Sequence, residues 1–441
     1  MGSMGAPNAT EEDKRVQVEV KGKLRRWSIK LGSKARIEEL NKRALESLQS
    51  KPRYGPDIDL SKYLKPITPS ERVNGFNAIP EALKSKMRNV GIDTKEESKA
   101  GSYIQLDHDM VYKKKLYPNI ELLSLEEALK DDEFIENYYW RLIDVGQDKF
   151  TAAAKLYGHG GYIIKTKEDQ RLDMPIQACL LIKSPEAFQA PHNVIIAETG
   201  STLHVVTGCA VMPESVGLHA GITEFYIKRN ATVTFTMIHD WNKVSDVRPR
   251  TAAVVEEGGV FINNYINLSP SGLKSLQAYP SVLLRGEGSR AFMSSIVIGS
   301  SSSYIDLGSA ITIMGKNSKA EIVSRSISKD KAQIVARAKI TAQAPNSKGH
   351  IECRGLMLSD GSKIWAVPEL DSTVKDVELT HEAAVGRLAE DEIFYLLSRG
   401  MNRDEAVSTL VRGFLEVKAP GLPKMLEEQI KLAMDISTRG L

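Results

Sequence analysis

A small turn residue recurs through the middle of this chain at Gly200, Asn230, Gly259, Gly288, Asn317 and Asn346, a nearly constant interval. Four positions before each lies Ile196, Tyr226, Val255, Leu284, Ile313 or Ala342, and three positions after lies Leu203, Val233, Ile262, Ala291, Ala320 or Gly349. Each unit reads as a strand, a tight turn and a second strand. A unit of this length cannot bury its apolar face alone, so a fixed period in this range predicts a stacked solenoid. The segments are short and rich in Val, Ile and Thr, which excludes helices. The expected fold is mainly β: a parallel β-helix core with helical regions at both ends.

Stacked coils lie ~4.8 Å apart, so residues one period apart share a column. Ser295, Ser324 and Cys353 follow one another at that interval, and Glu382 follows Cys353 by one more. The spacing therefore predicts that Cys353 and Glu382 are neighbours, with His381 beside them: a thiol, a carboxylate and an imidazole on the last coils.

The other candidates are weaker. Cys179, in QACLLI, reads as a buried small hydrophobe, and Cys209, in VVTGCAV, fits either core or function. Glu382 also suits the entry to a helix, where a carboxylate is favoured. His204, His219 and His239 are unevenly spaced and off the period, and are assigned no metal site. AITIMGKNS has Ala310 and Asn317 where a phosphate loop needs Gly and Ser/Thr, and GEGSRA lacks the third Gly of a dinucleotide fingerprint.

Three cysteines in 441 residues exclude a disulfide framework and place the chain in a reducing, cytoplasmic setting. A net charge of +3 without a basic run gives no support to nucleic-acid binding. No stretch approaches a membrane span. The opening MGSMG resembles an expression scar and is set aside.

Residues 1–150 read as an N-terminal, mostly helical region, including a helix over 33–49 and one from Pro80 capped by Gly91. Within it, the stretch from Asp107 to Trp140 reads as mostly helical with one short strand. Alternating strands fill 151–379, and 380–441 returns to helices. Gly400 ends the first of these, Asn402 with Glu405 opens the second, and LPKMLEEQIKLAMDI forms a third.

The strings YPSVLLRGEGS, GKNSKAEIVSRSIS, HIECRGLML, HEAAVGRLAEDEIFYLLSRGM and VRGFLEV, with QLDHDMVY, DKFTAAA, PIQ and VVTGCAV upstream, resemble the SufB/SufD family of iron–sulfur cluster assembly scaffolds over roughly residues 75–418. The resemblance implies a right-handed parallel β-helix and a partner, the ABC-type ATPase SufC, docking on about 385–418. It is closer to SufB: Cys353 and the His381–Glu382 pair match that paralogue's cluster-binding positions, with Cys353 and Glu382 as metal ligands. Cys209 matches its sulfur acceptor, from which sulfur passes along the interior toward Cys353. The chain departs from SufB at Leu181-Ile182-Lys183, where an Arg-x-Asn pair is usual. It departs again at Thr380, where an acidic residue is common, and in VFINNYIN, where a Gln-x-Trp element is absent.

These resemblances imply a non-enzymatic scaffold for a transient iron–sulfur cluster, with ATP hydrolysis left to SufC. One chain has a single Cys at the site, so a homodimer, or a pair with a SufD-like paralogue, is needed to complete it. A sulfur donor and apoprotein acceptors are further implied partners; reduced flavin has no motif here. The alternatives are a SufD-like structural subunit without its own ligands, or an enzyme on a β-helix, for which 6% aromatics gives little lining.

Overall fold

The structure, a computed structural model, describes residues 33–415 apart from 119 and 268, together with the strand pair Glu19–Val20 and Lys23–Leu24. It is mainly β, a parallel solenoid of about 8 turns with helices at both ends. The helix expected over 422–436 and residues 416–418 of the expected docking region lie outside the described residues.

One wall is a 10-stranded sheet whose parallel members run from Ile176–Ile182 through Thr202–Val211, Thr232–Asp240, Val260–Asn267, Arg290–Gly299 and Lys319–Ser328 to Ser347–Met357 and Val377–Arg387. The second sheet begins as two rows of short strands, such as Gly217–His219 and Ile222–Ile227. These rows fuse into the single long strand Tyr304–Ile313. Early coils therefore have three faces and later coils two.

The turn ladder has a conformational cause. Asp169, Gly200, Asn230, Gly258, Gly288, Asn317, Asn346 and Asp376 all have positive φ, between 54° and 70°. Gly, Asn and Asp tolerate this left-handed region best. Each residue from Gly200 to Asn317 also donates its amide to a carbonyl of the next coil, as in Gly200 N–H to Arg229 O at 2.9 Å. The left-handed residue is Gly258, not Gly259. That coil is one residue short, so the column reads Leu203, Val233, Phe261, Ala291, Ala320, Gly349, with Phe261 in place of Ile262. On the other side of the turn, Val255 pairs with Ile227 rather than Tyr226.

The interior is an apolar column of inward-facing residues, among them Phe225, Phe235, Phe261 and Ile305. Two further clusters clothe the outside. Helix Ser33–Ser47, through Leu40 and Ala44, and helix Lys149–Tyr157 cover one flank. Helix Glu81–Asn89 and, further along, helix Arg403–Leu415 cover the other, where Met87, Val411 and Leu415 pack. Gly91 (φ +77°) and Gly400 (φ +92°) end helices as expected, and Asn402 and Glu405 exchange capping bonds of 3.0 and 2.9 Å.

The stretch after residue 100 differs from the helical reading. Gly101–Leu106 and Asp109–Lys115 form an antiparallel hairpin whose first strand pairs in parallel with Ile176–Ile182, and Glu121–Ser124 joins the second sheet. Ile104, Leu106, Val111 and Tyr112 are buried under the Glu81–Asn89 helix, so tertiary burial overrides the helix-like spacing. The last parallel strand likewise extends to Arg387 rather than stopping at 379.

Candidate functional site

Strand alternation decides which side chains enter the solenoid. In Thr202–Val211 the inward residues include Val205, Cys209 and Val211. Two inward columns then run side by side. One reads Thr207, Met237, Tyr265, Ser295, Ser324, Cys353; the other reads Cys209, His239, Asn267, Val297, Ser326, Gly355. Cys209 and Cys353 are thus five coils apart, ~24 Å at the usual strand spacing. The intervening positions are unusually polar for a core. Tyr265 and Ser295 keep uncovered surface although they point inward, and the buried Ser326 hydroxyl has no partner. Ser295, Ser324 and Ser326 thus place hydroxyls rather than apolar bulk along this stretch.

Cys353 is only 1% exposed, and burial pushes its thiol up to about 11, with nearby Arg325 acting in the opposite direction. Its column partners Ser295 and Ser324 are as the spacing predicts, but its neighbour in the last strand is Ala383, not Glu382. The final coil carries one extra residue, so Asp376 follows Asn346 by one position more than the preceding interval. A one-residue slip moves a side chain to the opposite face. Glu382 therefore pairs with Glu352 on the outer face, where Arg354 bridges the two carboxylates at 2.7 and 3.1 Å. His381 pairs with Ile351 and lies on the same line of the strand as Ala383, diagonal to Cys353. Within one chain, Cys353, His381 and Glu382 do not converge on a common ligand point.

No coil stacks beyond Val377–Arg387 among the described residues, so this strand is an open edge. Its side chains are mostly exposed, and Val385, Trp365, Phe394 and Tyr395 are 39, 44, 59 and 57% exposed around it.

Cys179 is fully buried on the outer side, beneath the Glu81–Asn89 helix, and burial pushes its thiol up to about 12; this is the core role expected of it. Cys209 faces inward instead, and burial pushes its thiol well up, with Cys179 a smaller contributor.

The interior also assembles a group that the sequence reading dismissed. One ligand atom each from Cys209, His219 and His239 lie within 4.8 Å of one another, and all three residues are buried. Cys209 and His239 are register partners on adjacent coils. His219 comes from the short strand Gly217–His219 of the facing sheet, whose column Gln189, His219, Val247 also points inward. His219 Nδ1 bonds Gln189 Oε1 at 3.0 Å, and His239 Nδ1 bonds the Tyr265 hydroxyl at 2.9 Å. His239 Nε2 has no partner, nor does the indole N–H of neighbouring Trp241. Burial lowers His219 to about 3 and His239 well below its ordinary value, the latter aided by His219, so both rings are neutral. His204 lies on the outer line of its strand and takes no part. Trp241, two residues after His239, lines the interior one coil before VFINNYIN.

The fold and its interior thus define a class: a β-solenoid protein with buried thiols, one imidazole pair and a line of hydroxyls set in an otherwise apolar core. The profile described as SUF system FeS cluster assembly, SufBD core domain, matches residues 180–414. A protein of Methanothermobacter thermautotrophicus named iron-sulfur cluster assembly SufBD family protein is 41% identical over 411 residues, 92% of this chain and all of that protein. A namesake from Archaeoglobus fulgidus is 42% identical over 358 residues, 81% of this chain and 96% of its own. A Staphylococcus aureus relative is 28% identical over 84% of this chain and 82% of its own. The chain belongs to the SufBD family of iron–sulfur cluster assembly proteins. No helix among the described residues is long and apolar enough to cross a membrane.

Proposed function

We propose that this chain is a scaffold on which an iron–sulfur cluster is built between two copies of the chain, then passed to apoproteins. The observation that carries this reading is the pair of inward columns joining Cys209 to Cys353 beneath an open terminal coil. Cys209 accepts sulfane sulfur from a persulfide donor once its coil opens: the thiol gives up its proton as it attacks the outer sulfur, and the donor takes that proton and leaves as a thiol. A thiol reductant then releases hydrosulfide, itself becoming a disulfide, and the hydroxyl-lined columns are its route toward Cys353.

Two copies meeting edge to edge at Val377–Arg387 would bring together two sets of Cys353, His381 and Glu382. Iron prefers thiolate ligands but accepts imidazole, and mixed ligation suits a cluster that must leave. Cys353 is covered within one protomer, so its own terminal coil must open to expose it. An ABC-type ATPase of the SufC kind, docked on the helices from about 385 onward, supplies that movement by hydrolysing ATP. The chain itself catalyses no hydrolysis.

One observation favours a second reading, a SufD-like structural subunit: Glu382 faces outward and is held by Arg354 at 3.1 Å. The test offers a persulfide donor, a thiol reductant and Fe2+ to the chain with its ATPase under anaerobic conditions. The scaffold reading predicts sulfane sulfur on Cys209 by mass spectrometry, and loss of cluster formation in Cys209→Ser that free sulfide restores. Unlabelled Cys209, or full cluster yield in the variant, would move the assignment to the structural subunit.

A further inference from the structure

We propose that Cys209, His219 and His239 form an interior site for one divalent transition-metal cation of the Fe2+/Zn2+ class. The site is separate from the terminal coil, and its evidence does not depend on the chain's role in cluster assembly.

The donor set is a thiolate and two imidazoles, which suits zinc and ferrous iron and is poor for Mg2+ or Ca2+. The geometry is nearly assembled. In a tetrahedral site with bonds of ~2.0–2.3 Å, ligand atoms lie about 3.3–3.7 Å apart. The three ligand atoms here lie within 4.8 Å of one another, so about 1 Å of approach closes the site.

The second, independent observation is the orientation of the rings. Gln189 gives its amide nitrogen to the carbonyls of Asp107 and Leu181, which leaves its oxygen as the acceptor for His219. His219 must therefore carry its proton on Nδ1 and keep a lone pair on Nε2. His239 is tied through Nδ1 to Tyr265, and its Nε2 is a buried ring nitrogen without a partner. Holding a metal-binding imidazole by its other nitrogen is the usual outer-shell arrangement; here it sets the angle of both rings and, through Gln189, the tautomer of His219. An orphaned ring nitrogen in a core costs stability unless something occupies it. A cation bound here removes that cost.

Binding displaces the Cys209 thiol proton and leaves a net charge of +1, since Glu224 and Asp246, the fully buried carboxylates nearby in sequence, are engaged elsewhere. A cation in this interior therefore favours an anionic fourth ligand, hydroxide or hydrosulfide. A thiolate bound to metal cannot simultaneously accept sulfane sulfur, so the two uses of Cys209 are mutually exclusive.

The burial of the site calls for metal to be present as the chain folds. The full chain would be produced in minimal medium supplemented with Co2+, a spectroscopic stand-in for either metal, and purified anaerobically. One Co2+ per chain is expected, with intense tetrahedral d–d bands and a thiolate-to-cobalt charge-transfer band. Cys209→Ser removes the charge-transfer band, whereas Cys179→Ser and Cys353→Ser keep it. Tyr265→Phe, which leaves the ligands in place, weakens retention against a chelator about 10–100-fold. A folded wild-type chain that holds no cobalt overturns the proposal. So does a charge-transfer band that survives in Cys209→Ser, or Tyr265→Phe retention equal to wild type.

Discussion

Glu224 offers a sharp test of how the N-terminal region is held to the solenoid. Its carboxylate is fully buried and accepts the backbone N–H groups of Trp140 at 2.9 Å, Leu142, and Ile143 at 3.1 Å. It also meets His192 Nε2 at 2.8 Å. Glu224→Ala strands three amide donors and one ring nitrogen at once. A buried unsatisfied donor costs about 1–3 kcal/mol, and removing one side of a buried charged network about 3–5 kcal/mol. Water entering the vacated space offsets part of the sum, so about 3–5 kcal/mol is expected. The loss is local, because a solenoid couples mainly neighbouring coils. Hydrogen exchange by mass spectrometry should show protection over residues 139–144 falling by roughly two to three and a half orders of magnitude, at about 1.36 kcal/mol per decade. Strand Ser347–Met357, several coils away, should be unchanged. Glu224→Gln keeps one acceptor oxygen and should lose about half as much. Protection over 139–144 within threefold of wild type, in a folded Glu224→Ala chain, would mean that Glu224 does not hold this segment.

Other consequences follow from single residues. Asn346 sits at φ +58°, so Asn346→Ala should cost about 1–2 kcal/mol in chemical denaturation while Asn346→Gly changes stability little. Lys99 is 3% exposed with an unpartnered ammonium, and burial lowers its pKa. The unfolded chain therefore holds this proton more tightly. Wild-type stability should rise with pH from the lowered folded pKa up to the unfolded value of ~10.4, and fall as pH drops through the folded one. Lys99→Met should add about 1–3 kcal/mol at pH 7 and flatten that rise in urea titrations. If the terminal strand is the dimer edge, Val385→Lys should weaken self-association about tenfold or more by analytical ultracentrifugation; an unchanged constant would place the interface elsewhere.

What the sequence revealed, and what it hid, follows from the physics of stacking. The period was legible because the left-handed turn admits few residue types, and Gly200, Asn230, Gly288, Asn317 and Asn346 stand where the chain needs them. Coil length is less constrained, since a loop absorbs one residue at little cost. A coil one residue short put the turn at Gly258, and one a residue long separated Cys353 from Glu382. Neither change leaves a mark in composition. The Cys209–His219–His239 group was hidden for another reason. Sequence period reports neighbours along a column, as for Cys209 and His239, which stand one coil apart. His219 reaches them across the interior from the facing sheet, only part of a coil after Cys209, and no period encodes that distance. The family was legible from local strings such as HIECRGLML, which survive such slips.

The central claim is that Cys353 anchors a cluster built on this chain. The direct test is anaerobic reconstitution of the purified chain, alone and with a SufC-type ATPase, using iron and sulfide. Visible absorption and Mössbauer spectra would compare wild type with Cys353→Ala. The account predicts a cluster on wild type that is lost in the variant. A cluster of equal yield and spectrum on Cys353→Ala, or none on wild type with ATPase binding intact, would contradict it.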